Sequence, residues 1–70
     1  MNSNLLKAEM VKHRINGQQL SAEIGISESA FYRKLGGKSE FTQGEIFAIS
    51  NVLGMDRETI FSVFFADEVS

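Results

Sequence analysis

Glu28, Ser29, Tyr32 and Arg33 follow one another at steps of one, three and one, a spacing that gathers four helical side chains on one face. Together they offer a guanidinium fork, a phenol, a hydroxyl and a carboxylate, a set of donors and acceptors suited to recognition. It is not a catalytic set. The chain has no cysteine and a single histidine, His13, so neither a thiolate nucleophile nor a paired-histidine metal site is available. No two carboxylates stand at a spacing suited to acid–base work, no Gly-x-x-x-x-Gly-Lys-Ser/Thr loop is present, and a body of 70 residues is too small to enclose a pocket. We expect no catalytic residue, no metal and no cofactor. His13 reads as a solvated residue at a helix end.

Two short helices and a tight turn must position this face. The first is expected over Gly17 to Ile24, with Leu20 and Ile24 inward and Gln18, Gln19 and Glu23 toward water. Gly25 ends it, since glycine takes the left-handed conformation without steric cost. Ser27 restarts the chain as an N-cap, and the second helix carries Phe31 and Leu35 inward four residues apart. Ser21, small and four residues before Gly25, lets the two helices approach closely.

The other elements are marked by a pattern at their starts. A capping residue sits between two apolar residues five apart in Ile15-Asn16-Leu20, Ile26-Ser27-Phe31, Phe41-Thr42-Ile46 and Met55-Asp56-Ile60, the signature of a hydrophobic staple. Asn16 with Gln19, and Thr42 with Glu45, add reciprocal capping boxes. Gly25, Gly36 or Gly37, and Gly54 mark ends. With a leading helix capped by Asn2, Ser3 or Asn4 and running to about His13, the pattern predicts five helices, the fourth over about Gln43 to Leu53 and the last over about Arg57 to Phe65. The expected core is Leu6, Met10, Leu20, Ile24, Phe31, Leu35, Ile46, Ile49, Leu53 and Ile60, with Leu5 or Val11 partly buried and Phe47 widening the stripe of the fourth helix.

At seventy residues one small domain, 1–70, is expected, all-α by the helix pattern above and with no room for a separate regulatory domain. No apolar run of transmembrane length and no signal-peptide pattern is present, so a cytoplasmic protein is expected. The net charge of −2 is unevenly spread. Residues 1–40 hold six cations against four carboxylates, and residues 41–70 hold one against five. The half with the two-helix unit is basic and the other acidic, a polarity able to orient the molecule on a duplex.

The spacing of Leu20, Ser21, Gly25, Ile26, Ser27, Phe31 and Leu35, followed by Gly37-Lys38, resembles the helix-turn-helix of the Cro and lambda-type phage repressors and their XRE-like bacterial relatives, over about Leu5 to Phe65. The resemblance implies a lambda-repressor-like bundle of five short helices and a regulator that binds double-stranded operator DNA as a dimer, the second motif helix entering the major groove. It places Glu28, Ser29, Tyr32 and Arg33 at base edges. Arg33 can pair with guanine O6 and N7, Ser29 with a base or a phosphate, and Tyr32 with a thymine methyl or a phosphate. Glu28 either accepts from a cytosine amine or serves as an acid favoured by the helix dipole. Lys38 is the phosphate candidate of the Gly36–Glu40 turn, with a solvated loop lysine as the alternative, and Ser27 belongs to the same surface. Relatives usually carry a phosphate-contacting glutamine or similar residue where this chain has Gly17, so Gln18 is the expected substitute.

Two readings stay open for the acidic half. Phe61, Phe65 and Val69 form a stripe beside that of Ile60 and Phe64, and it either closes the core or meets a partner, in the first instance a second copy. The sparse cations of the motif, Arg33 and Lys34 on its second helix, also admit a different class of protein, an antirepressor-like regulator that grips a partner repressor. The acidic tail, residues 66–70, is expected to fray.

Overall fold

Each helix begins where a polar side chain can answer a free N–H. In the computed structural model, which describes residues 1–66, α1 spans Ser3–Lys12, α2 Gly17–Ile24, α3 Glu28–Leu35, α4 Gln43–Val52 and α5 Arg57–Ile60. The caps are Asn2, Asn16, Ser27, Thr42 and Asp56, whose side-chain oxygens accept from the N–H of Leu5, Gln19, Ala30, Glu45 and Thr59. Each such bond satisfies a donor the helix cannot satisfy itself and contributes about 1 kcal/mol. Both expected capping boxes form. No strand occurs among the described residues.

The ends repeat one device. Arg14, Gly25, Gly37 and Gly54 take positive φ, and the N–H that follows each reaches back to Met10, Ser21, Arg33 and Ser50 carbonyls at 2.9–3.0 Å, the Schellman closure. Of the two adjacent glycines it is Gly37, not Gly36, that turns the chain. Arg14 does without glycine at φ 56.

After Ile60 the last helix departs from α geometry. Phe61–Phe65 form a π-type turn closed by the Ala66 N–H on the Phe61 carbonyl at 2.8 Å. Val63 and Phe64, three and four residues after Ile60, lie inward, and Phe61 and Phe65 lie outward. The core is accordingly Leu6, Met10, Leu20, Phe31, Leu35, Phe41, Ile49, Leu53, Val63 and Phe64. Ile24, Ile46 and Ile60, expected at its centre, are half-buried at its rim. Phe31, Phe41 and Phe64 form an aromatic run through it, with successive centroids 5.8 and 6.0 Å apart. Phe47 does not widen the stripe of α4; it is 70% exposed. Val11, too, lies open to solvent, and Leu5 is exposed.

The N-terminal segment is fastened to the rest at two points. The Asn2 N–H donates to the Val63 carbonyl, and the Ser3 hydroxyl donates to the carbonyl of Leu35 at the end of α3, each at 2.6 Å. α2 packs against both α3 and α4.

Candidate nucleic-acid interface

α3 has an inner face of Phe31 and Leu35, both buried, and an outer face of Glu28, Ser29, Tyr32 and Arg33, all exposed. The division follows from its eight-residue length and the 3.6-residue period. Ser27 starts it, accepting from the Ala30 N–H at 3.1 Å, and its hydroxyl stands 3.5 Å from that of Ser29. Ser27 accepts the cap bond and stays exposed with its own O–H still able to donate, and Ser29, the second residue of the helix, also faces outward. Glu28 occupies the first turn, where a carboxylate is favoured by the helix dipole. Among the described residues neither Glu28 nor Arg33 takes part in an ion pair.

Lys34 behaves differently from its neighbour. Its ammonium donates to both Glu45 oxygens, at 2.7 and 2.8 Å, with 15% of each side chain exposed. The expectation that Lys34 adds to the free cations of the motif is therefore corrected: it ties α3 to α4. Glu45 is held from a second side as well, accepting from the Thr42 N–H at 2.9 Å as the N3 residue of the α4 capping box. The Lys34 ammonium, and next the Thr42 N–H, hold the Glu45 carboxyl below its ordinary value of 4.5 against the opposing effect of burial. Asp56, at the cap of α5, is likewise lowered by the Thr59 side chain and N–H.

The two motif helices meet closely at Gly17 and Tyr32. Gly17 is buried at the start of α2, and a Cβ added there would lie 2.9 Å from Tyr32 Cε2 and overlap Cζ and the hydroxyl oxygen. The phenol ring therefore lies over the first turn of α2, beside Gln18, which is exposed. Tyr32 also meets Phe31 edge-on at 5.6 Å and remains 48% exposed. Lower in the turn, Ser21 is buried as its size suggested, its hydroxyl donating to the Gln18 carbonyl at 2.9 Å.

Lys38 follows Gly37 in the α3–α4 turn with its backbone N–H on the Arg33 carbonyl and its side chain exposed. The outer face of α3 with its cap, the start of α2 and this turn thus leave Gln18, Ser27, Glu28, Ser29, Tyr32, Arg33 and Lys38 open to a ligand. Phe61 and Phe65 are more than half exposed, on the C-terminal element. Val69 and the acidic residues Asp67 and Glu68 lie outside the described residues.

Sequence reasoning missed three residues that shape this site. Glu45 and Ser3 act on α3 from 11 and 32 residues away, and no local signal announces such pairings. Gly17 carried no decisive signal either: Gly44 stands in the first turn of α4 with open space beside it, so a glycine near a helix start does not by itself announce a close approach.

No helix among the described residues is long and apolar enough to cross a membrane. No curated protein and no solved structure matches the chain. A family model of Cro/C1-type helix-turn-helix DNA-binding domains does match it over residues 5–65, so that α1 through the π-type turn fall almost wholly within the match, and the chain belongs to that family.

Proposed function

We propose that this chain is a sequence-specific transcriptional regulator of phage Cro/repressor type, a single cytoplasmic domain that sets α3 into the major groove of operator DNA. The observation that supports this most is the outward presentation of Arg33 and Glu28, without an ion pair among the described residues, together with Ser29 on a helix whose back is fixed by the Lys34–Glu45 pair. Arg33 pairs with guanine O6 and N7, Ser29 bonds a base or a phosphate, and Glu28 accepts from a cytosine amine. Lys38 and Gln18 meet phosphates and set the register. A homodimer through Phe61 and Phe65 would present two α3 helices to successive half-sites. The family's usual role is binding without catalysis.

Methylation interference tests the Arg33 assignment. Methylating guanine N7 removes one of the two acceptors, so one guanine per half-site should block the native protein when methylated. A folded Arg33→Ala variant should not discriminate methylated from unmodified sites. Interference that persists in the variant would assign the guanine to another residue.

A second reading is favoured by a specific feature of α4. Phe47 stands at the edge of an open groove of about 530 Å³ walled by Ile46, Ser50, Asn51, Met55 and Ile60, with no charged residue in its lining. In an antirepressor-like protein this groove would seat a partner repressor. Loss of partner capture on Phe47→Ser, with DNA binding absent throughout, would favour it.

A further inference from the structure

We propose that Gly17 and Tyr32 work as one unit in which the glycine is a seat for the phenol ring, holding Tyr32 against α2 so that it positions the two motif helices and leaves base reading to Glu28, Ser29 and Arg33. The proposal rests on the DNA-binding reading above.

A methyl group at Gly17 would overlap the far end of the Tyr32 ring, and no backbone or core atom stands among its nearest neighbours. An alanine there would therefore turn the ring aside and leave α2 intact. Tyr32 is three residues from Ser29 and next to Arg33 on the exposed face, so a ring denied its seat has that face to swing into. The duplex would occupy the same space. Gly44 also stands in the first turn of a helix but has open space beside it, whereas at Gly17 the Tyr32 ring fills the place of a Cβ. Tyr32 seated on α2 has its ring pinned to the neighbouring helix, which is the geometry of a positioning residue rather than of a side chain extended toward a base edge.

Tyr32 is the only tyrosine and the chain has no tryptophan, so its fluorescence reports the seat without any DNA. The experiment compares the native protein, Gly17→Ala, Tyr32→Ala and the double variant by thermal melting, by acrylamide quenching of tyrosine emission, and by binding to a randomised duplex pool. Gly17→Ala should keep its melting temperature or gain slightly, and quenching should rise clearly. Its affinity for the selected site should fall about tenfold, the cost of a clash placed in the interface. Tyr32→Ala should weaken binding severalfold on every sequence while selecting the same site. Added to that background, Gly17→Ala should cost less than about twofold more, because the two changes act on one contact. Equal losses from Gly17→Ala in both backgrounds, or a changed base preference in Tyr32→Ala, would overturn the proposal. Unchanged quenching in Gly17→Ala would refute the seat alone, whereas a folded native protein that selects no sequence would refute the DNA reading and with it this proposal.

Discussion

Arg33 and Lys34 are adjacent cations with opposite fates. A step of one residue, about 100° around the helix, turns Arg33 to solvent and Lys34 toward α4, where Glu45 takes it. The outer face of α3 was legible in the sequence because it depends only on the 3.6-residue period. The fate of Lys34 was not, because its partner comes from a different helix. Arg33→Ala should therefore melt like the native protein and lose about 1–3 kcal/mol of operator binding, roughly 5- to 150-fold in Kd. A matched pair of melting curves and a binding titration check it, and a folded variant that binds normally would remove Arg33 from the site. Arg14 supports a separate prediction. A left-handed φ strains any residue with a Cβ, so Arg14→Gly should raise stability by about 0.5–1 kcal/mol. A lower melting temperature would mean that the arginine side chain outweighs the strain.

At the scale of elements, helix starts were readable because a cap is local: a hydroxyl, amide or carboxylate bonds an N–H three residues on, and every such residue stands in the sequence. The π-type turn was not readable, since a pattern search on a 3.6-residue period cannot anticipate a five-residue bond. Phe64 lies inward as the Ile60–Phe64 stripe suggested, Val63 joins it three residues after Ile60 on the same face, and Ile60 itself lies at the rim. The tie between α3 and α4 makes a pH prediction. Glu45 has its carboxyl lowered by the Lys34 hydrogen bonds, so in the folded state it stays charged to a lower pH than in the unfolded chain. Its contribution is present in full above the ordinary value of 4.5 and is lost as the pH falls through the depressed folded value. Glu45→Gln keeps a capping amide at this position but loses the charge. It should be less stable than the native protein by about 1–2 kcal/mol at neutral pH, and the gap should close below about pH 4.5. Melting temperatures from pH 7 downward would show this; a gap constant with pH would mean the ion pair contributes nothing.

At the scale of the molecule, ten buried apolar side chains among the described residues hold five short helices, and Phe31 sits where the motif meets the rest, fully buried and packed on Phe41. Phe31→Ala should cost about 3–5 kcal/mol, against a total of about 3.5–10 kcal/mol for a chain this long. Loss of a cooperative thermal transition, or a large drop in its midpoint, is the expected outcome; a midpoint within a few degrees of native would show that the core closes over the gap. The uneven charge is a property of the same scale. With Arg33 and Lys38 as the cations facing outward on and just after α3, few counterions are released on binding, and affinity should fall only shallowly with salt, with a log–log slope of about −2 per protomer. The most direct measurement is a titration of the purified protein against duplex DNA from around its own gene, at two salt concentrations, with excess unrelated DNA as competitor. The account predicts binding that survives the competitor and weakens with that shallow slope. A folded protein that binds both DNAs alike, or neither, would contradict it.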